Sequence, residues 1–464
     1  MDLKGKKVLV VGLAKTGLAL VKFLKSQGAQ VYVSEMKDAP ELAGEHKYLT
    51  NEGITAEFGG HSVSFFLQAE MIVVSPGVPL DLEPLRRAQE RGIPVLSEIE
   101  IAFQFLQKPL LAVTGTNGKT TTTTLIGQIL QAAQKQVFVG GNIGTPLIAF
   151  VSGPQEVEWV IAEISSFQLE GIREFRPHIA VLLNISEDHL DRYANFSEYI
   201  LAKGKIFQNQ RHEDFAVLNA DDPLTFQFAH QVAAQVFLFS AQRPVPVGCF
   251  LEKGAIIYQG ADGQKERFSL EHLKLKGAHN LENIMAAMVA SKICGCPPKA
   301  IQQVIDEFSG LAHRLEWVGE IKGVKFFNDS KGTNVGAVVK SLMSFSEPIV
   351  LIAGGKDKGG DYAPLGDLIA RKVKGLALIG EAQGRMYSAL GRLTDTACFN
   401  TLEEAVLWSF SKAAPGEIVL LSPACSSFDM FKNYQERGQR FKEIVGRLAQ
   451  QFKDSAPGGK KNLG

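Results

Sequence analysis

The stretch Val113-Thr114-Gly115-Thr116-Asn117-Gly118-Lys119-Thr120-Thr121 decides how this chain is read. It follows an apolar run, Pro109-Leu110-Leu111-Ala112, that has the character of a buried strand. It precedes Leu125, Ile126, Ile129 and Leu130, whose spacing gives one apolar helical face. Two glycines between a strand and a helix let successive backbone N–H groups point inward at phosphate oxygens, next to the positive end of the helix. Lys119 can then reach the terminal phosphates, and the Thr120 hydroxyl can ligate Mg²⁺. Gly115, Thr116, Asn117 and Thr121 complete the cradle. One departure stands out: Val113 occupies the place where the usual pattern has its first glycine. The bland alternative is a glycine-rich turn before a threonine-rich helix.

The rest of the chain sets the limits. At 464 residues it has room for about three domains. With 49 basic and 49 acidic residues, no surplus charge recommends nucleic acid or a membrane surface as partner. The five cysteines (Cys249, Cys294, Cys296, Cys398, Cys425) are odd in number and lack zinc-site spacing, which suits a reducing compartment. Lys4, Lys6 and Lys7 before the apolar run from Val8 imitate a signal peptide, but Lys15 interrupts that run. A soluble, cytoplasmic protein is expected, with a disordered tail after about residue 453.

Short apolar runs alternate with helical patterns throughout, which implies βα units and parallel sheets. The first block opens with strand Val8–Val11, the turn Gly12-Leu13-Ala14-Lys15-Thr16-Gly17 and a helix to about Gln27. Strands Gln30–Val33 and Met71–Val74 follow. The turn misses the dinucleotide fingerprint because Ala14 replaces its middle glycine, so a diphosphate of another kind is favoured over NAD. A second block runs from the cradle through Trp159–Ile164 and His178–Ile185, closing with a helix from about Asn280. The third begins near Leu311 with a hairpin, Glu316–Ile321 against Val324–Phe327, turning at Lys322-Gly323. Strands Ile349–Ala353, Leu376–Ile379 and Ile418–Leu421 come next.

Polar residues at strand ends are the remaining candidates, because open α/β sheets place their ligand crevice there. Glu163 ends one strand and is a candidate Mg²⁺ ligand. His189 lies in Asn184-Ile185-Ser186-Glu187-Asp188-His189-Leu190-Asp191 after another. Lys203, on a helix 14 residues later, would ordinarily be solvated. Asn328-Asp329-Ser330-Lys331-Gly332-Thr333-Asn334 follows the Val324–Phe327 strand, and Thr333 or Asn334 there also suits a helix N-cap. Cys425, with no histidine base nearby, reads as a small packing residue.

Taken together these stretches resemble the Mur ligase family, from about Lys6 to Phe441. The resemblance rests on Thr114–Thr121, Gly141-Asn142-Ile143-Gly144, Glu163–Glu170 (EISSFQLE), Asn184–Arg192 (NISEDHLDR) and Gly277–Asn283 (GAHNLEN). His313-Arg314, Asn328–Asn334 (NDSKGTN) and Ser422–Gly438 (SPACSSFDMFKNYQERG) complete it. It implies an α/β fold of three domains. These are a Rossmann-like N-terminal domain (1–97) binding UDP, a P-loop-type central ATPase domain (98–310) and a dinucleotide-fold-like C-terminal domain (311–464) binding the amino acid. The activity implied is ATP-dependent amide ligation in peptidoglycan precursor synthesis, joining D-glutamate to UDP-N-acetylmuramoyl-L-alanine through an acyl phosphate, with Mg²⁺. We expect a monomer with neither a nucleic-acid nor a membrane partner.

By the same resemblance, Lys119 and the loop backbone hold the ATP phosphates, and Asn283, Arg314 and Asp329 contact the nucleotide. Thr120 and Glu163 bind one Mg²⁺; Glu163 and His189 help bind a second, aided by a carbamate on Lys203. The UDP-substrate would meet Asn142 and His189, its diphosphate Thr16, Ser75 and Gly77, and its uracil and ribose Glu35 and Lys37. D-Glutamate would be held by Lys331, Thr333, Lys358, Ser427 and Tyr434, where Tyr434 replaces a usual phenylalanine. Rival readings are a ligase of another Mur step, a folylpolyglutamate-type ligase or a P-loop switch protein. The absence of an Asn-Lys-x-Asp guanine signature speaks against the last.

Overall fold

The computed structural model describes residues 1–188, 192–275, 277–357 and 359–454. The chain forms two compact units. One comprises Met1–Ile185, Asn195–His272 and Glu282–Glu307; the other is built chiefly from Phe308 onward.

The first unit holds two sheets. Strands β1 (Lys7–Val11), β2 (Gln30–Glu35), β3 (Thr55–Phe58), β4 (Met71–Val74) and β5 (Val95–Ser97) form the first, in the order β3-β2-β1-β4-β5. Every pairing is parallel. The aliphatic run Val8–Val11 is buried on both faces, as a central parallel strand requires. In the first turn of the helix Lys15–Ser26, Gly17 is forced by contact: a Cβ there would lie 1.9 Å from the Gly12 carbonyl oxygen. The chain order reverses between β1 and β4, so the turn after β1 opens at a switch point where such sheets bind ligands.

The second sheet contains β6 (Leu110–Thr114), β7 (Val137–Gly141), β8 (Trp159–Glu163), β9 (Ile179–Leu182), β10 (Phe215–Asn219), β11 (Gln235–Ser240), β12 (Gly248–Glu252), β13 (Ala255–Gln259) and β14 (Lys265–Ser269). Its order is β14-β13-β12-β11-β10-β9-β6-β8-β7, which puts β6 between β9 and β8. The expectation of a parallel sheet holds from β7 to β12 but fails at one edge, where β13 and β14 run antiparallel. The cause is local. Lys253 and Gly254 have φ of 48° and 73°, the paired positive angles of a tight hairpin turn. The edge strand β14 carries exposed Lys265 and Arg267 around Glu266, which pairs with Lys292 at 2.7 Å.

The second unit holds β15 (Glu316–Ile321), β16 (Val324–Asn328), β17 (Ile349–Gly354), β18 (Val373–Ile379), β19 (Asp395–Phe399) and β20 (Ile418–Leu421), in the order β15-β16-β20-β17-β18-β19. The expected β15–β16 hairpin is present, with Lys322 and Gly323 at φ 50° and 80°. Alternation explains the layering. Ile349, Leu351, Leu376, Leu378, Ile418 and Leu420 enter one core, and Val350, Ile352, Ala377, Ile379, Val419 and Leu421 enter the other. Each fully buried aliphatic side chain contributes about 1.5–3 kcal/mol. The helix Tyr434–Asp454 covers the second core with Phe441, Ile444, Val445 and Leu448, a spacing that gives one face. It remains helical through Asp454, slightly beyond the expected start of the tail; the tail from 455 onward lies outside the described residues.

Candidate functional site

Backbone hydrogen bonds to the end of β9 shape the loop after β6. Thr116 N–H donates to Asn184 O at 2.8 Å. Asn117 N–H donates to Asn184 Oδ1 at 2.9 Å, while Asn184 Nδ2 returns a bond to Asn117 O at 3.0 Å. Gly118 takes φ +87° just before the helix Lys119–Ala132, whose Leu125, Ile126, Ile129 and Leu130 are buried as their spacing predicts. A Cβ on Gly118 would stand 2.1 Å from Asn283 Oδ1, so glycine is required by conformation and by space. Asn283 Oδ1 also accepts from Thr122 Oγ1 at 3.4 Å, which brings the distant Asn283 to the loop.

Two lysines converge on this loop. Lys119 Nζ donates to Gly115 O and to Thr116 O, each at 2.8 Å. Lys203 Nζ donates to Gly115 O at 2.9 Å and lies 4.6 Å from the centre of the Tyr199 ring. Contrary to the ordinary expectation for a helical lysine, Lys203 is only 1% exposed. The helix Phe196–Gly204 buries Tyr199, Ala202 and Lys203, while Leu201 is 66% exposed. The Tyr199 hydroxyl bonds Thr116 Oγ1 at 3.1 Å, so this helix supports the loop from below.

Beside the loop, Glu163 ends β8 and is 2% exposed. Its Oε2 accepts from Thr120 Oγ1 at 2.7 Å and its Oε1 from Asn142 Nδ2 at 2.9 Å. Asn142 N–H also donates to Glu163 O at 2.8 Å. A threonine hydroxyl and a carboxylate side by side are hard oxygen donors of the kind Mg²⁺ takes, and they adjoin the lysine that would face phosphates. Thr121 is buried one residue on. His189 lies outside the described residues. Among those described, no group of three or more His, Cys, Asp and Glu side chains could hold a metal ion.

At the end of the first sheet, Ser75 Oγ donates to Gly12 O at 2.9 Å, closing the turn that leads into the helix bearing Thr16. Gly77 is exposed in the next turn. Glu35 is turned inward: one oxygen accepts from Leu13 N–H at 2.5 Å and the other from Lys37 N–H at 3.0 Å. The first bond fastens the end of β2 to the turn after β1, and the second holds the backbone that leaves β2.

In the second unit, Asp329 follows β16 and is buried. Its Oδ2 accepts from Ser341 Oγ and Ser422 Oγ, both at 2.7 Å, and its Oδ1 from Leu315 N–H at 3.3 Å. Burial pushes its carboxyl up to about 6, against the lowering effect of the two hydroxyls and of Arg314. Lys331 Nζ sits 4.0 Å from the centre of the Tyr434 ring, so these two expected residues are brought together. Thr333 N–H donates to Lys331 O at 2.8 Å. Asn334, one of the two residues suited to capping, caps the helix Val335–Met343. Ser427 is 2% exposed on the loop after β20; Lys358 lies outside the described residues. Cys425 is buried against the Tyr362 hydroxyl at 3.3 Å, and burial pushes its thiol up to about 11. It is a packing residue.

Sequence reasoning missed Arg437. Its guanidinium is fully buried and donates to Ser330 Oγ at 3.0 Å, Ser330 O at 2.9 Å, Cys425 O at 3.1 Å and Ser426 O at 3.2 Å. It thereby joins the loop carrying Lys331 to the loop carrying Ser427. The available signal was spacing: Arg437 stands four residues before Phe441, on the face that buries Ile444 and Val445.

Known proteins share this fold. Residues 6–97 match the Mur ligase MurD-like N-terminal domain, residues 113–291 the Mur ligase middle domain and residues 313–425 the Mur ligase glutamate ligase domain. The UDP-N-acetylmuramoylalanine–D-glutamate ligase of Geotalea daltonii is 53% identical over 97% of this chain and 99% of its own. The ligase of the same name from Koribacter versatilis is 46% identical over 98% of this chain and 100% of its own. Among solved structures, the MurF ligase of Thermotoga maritima in complex with ADP matches with a TM-score of 0.61 at 16% identity, covering 97% of this chain and 96% of that one. The pseudomurein peptide ligase type C of Methanothermus fervidus matches with a TM-score of 0.60 at 20% identity, covering 96% and 100%. At those identities the structures speak for the fold, and the near-full-length relatives speak for the family. The chain belongs to the Mur ligase family, among its UDP-N-acetylmuramoylalanine–D-glutamate ligases.

Proposed function

We propose that this chain adds D-glutamate to UDP-N-acetylmuramoyl-L-alanine at the expense of ATP. A carboxylate is a poor acyl donor. In the first step one of its oxygens attacks the γ-phosphorus of ATP; the bond from that phosphorus to the β-phosphate oxygen breaks, ADP leaves and an acyl phosphate remains. The amine of D-glutamate then attacks the acyl carbon, and the tetrahedral adduct expels phosphate as the new amide nitrogen gives up a proton. Sequence identity above 50% to relatives of that name supports the substrates. The single structural observation that carries the reading is the Lys119 ammonium held against the carbonyls of its own glycine loop, where a triphosphate would draw it outward.

In this reading Lys119, with the backbone of Gly115–Thr121, grips the phosphates, while Asn283 and Arg314 contact the nucleotide. Asp329 fixes the backbone beside Arg314 through Leu315. Thr120 and Glu163 would hold Mg²⁺, with His189 and a carbamate on Lys203 as further ligands; bound there, the ion would neutralise charge on the phosphate oxygens. Glu35 and Lys37 frame the uridine, Thr16, Ser75 and Gly77 the diphosphate, and Asn142 the muramoyl group. Lys331, Thr333, Lys358, Ser427 and Tyr434 hold D-glutamate. No helix among the described residues is long and apolar enough to cross a membrane.

The decisive experiment supplies ATP, Mg²⁺ and UDP-N-acetylmuramoyl-L-alanine, with and without D-glutamate. It measures both phosphate release and the amide product by mass. D-Glutamate-dependent product is expected, and folded protein that makes none overturns the proposal. Lys119→Ala should lower turnover at least a hundredfold without altering the fold, because the lost charge faces the transferring phosphoryl group. Near-normal turnover in that variant would remove Lys119 from the site.

A further inference from the structure

Lys15, the first residue of the helix that follows β1, donates from Nζ to the carbonyl oxygen of Gly144 at 2.6 Å. Gly144, at φ +60°, ends the turn Gly141-Asn142-Ile143-Gly144 that follows β7. That turn is otherwise fixed by Gly141 N–H to Thr145 O at 2.8 Å and by Asn142 to Glu163 through both backbone and side chain. A path therefore runs from Lys15 to the carbonyl of Gly144, through the backbone of the Gly141–Gly144 turn to Asn142, and by hydrogen bonds to Glu163 and on to Thr120 beside the phosphate loop. Lys15 is exposed, and its ammonium bonds a neutral carbonyl; no carboxylate is paired with it among the described residues. One of its three donors is spent on Gly144, and its charge stands next in sequence to Thr16.

We propose that Lys15 is a substrate-positioning residue: it bridges the diphosphate of the UDP-substrate to Gly144, so that occupancy of the first sheet's turn fixes the turn bearing Asn142 and, through it, Glu163. The inference rests on the reading above for the place of the diphosphate. A cation shared between an anion and a carbonyl makes a stronger bond to the anion than a neutral donor does. Losing it should weaken the UDP-substrate by about tenfold, the scale of one charge-assisted hydrogen bond. The loosened Asn142 turn should also lower kcat several-fold.

The test compares the full-length protein with Lys15→Met and Lys15→Arg. Calorimetry measures UDP binding at several salt concentrations; kinetics give KM for the UDP-substrate and for ATP separately. In Lys15→Met, weaker UDP binding with a shallower salt dependence is expected, along with a raised KM for the UDP-substrate and an unaltered KM for ATP. Lys15→Arg should restore most of the affinity. Unchanged UDP affinity in Lys15→Met overturns the proposal. So does an equal rise in both KM values with a lowered Tm, which would mark a purely structural residue. Wild-type protein that binds UDP but forms no D-glutamyl product would defeat the functional reading while leaving the calorimetric test of Lys15 standing.

Discussion

Lys119 and Lys203 donate to one acceptor, the carbonyl oxygen of Gly115, at 2.8 and 2.9 Å. Two ammonium groups on one neutral oxygen repel each other, and burial of Lys203 keeps water from screening them. Either phosphate binding by Lys119 or conversion of Lys203 to an anion relieves that repulsion.

Lys203→Ala should therefore cost at least a hundredfold in turnover. If the anion is what catalysis needs, formate or acetate should partly restore the rate by entering the vacated space. Phosphate release measured across a series of short carboxylates checks this, and an undiminished rate in the variant would exclude Lys203.

Gly118→Ala places a methyl 2.1 Å from Asn283 Oδ1 and holds a non-glycine residue at φ +87°. The conformation alone costs about 1–2 kcal/mol. A lower Tm is expected, together with a raised Kd for ATP and unaltered affinity for UDP, read by thermal melts and calorimetry.

Arg437→Lys keeps a charge but cannot reproduce the planar fork that serves Ser330, Cys425 and Ser426. The carbonyls it leaves buried without donors should cost about 3 kcal/mol. KM for D-glutamate should rise roughly tenfold, because the loops of Lys331 and Ser427 lose their common anchor. Initial-rate kinetics and denaturant unfolding test the two effects separately.

Glu98 heads the helix Glu98–Gln104 and accepts from Ile148 N–H at 2.8 Å, capping the short helix Leu147–Val151. Complete burial pushes its carboxyl up to about 7, opposed by the bonds from Ile148 and Gln168. The folded state then binds a proton more tightly than the unfolded chain, so this residue's contribution is fully present below pH ~4.5 and is lost as pH rises to about 7. Glu98→Gln should flatten that decline, gaining roughly 3 kcal/mol over wild type between these limits. Paired unfolding curves from pH 4 to 8 would show it; parallel profiles would contradict it.

The sequence made the phosphate loop legible because strand, two glycines, lysine and amphipathic helix sit together within one local stretch. The β15–β16 hairpin was readable from Lys322-Gly323. The same dipeptide at Lys253-Gly254 went unread, although Cys249-Phe250-Leu251 before it and Ala255-Ile256-Ile257-Tyr258 after it are the apolar runs of two paired strands. Burial of Lys203 was hidden because a helical lysine is ordinarily solvated. Tyr199 and Ala202 on its face, with Leu201 turned outward, carried the contrary signal. Arg437 was obscured in the same way. Its partners are backbone carbonyls on loops that come together only in the folded sheet, and carbonyls have no signature in a sequence.

The charged rim along β14 bears on how the protein behaves when concentrated. An open sheet ends in strands whose N–H and C=O groups could accept another chain, and a smooth apolar border invites such growth into fibres. Lys265, Glu266 and Arg267 make that approach electrostatically and sterically poor, while Phe268 still anchors the strand from within. Exchanging these three for valine would leave the Lys119, Thr120 and Glu163 contacts in place and turn this border into a seed for aggregation.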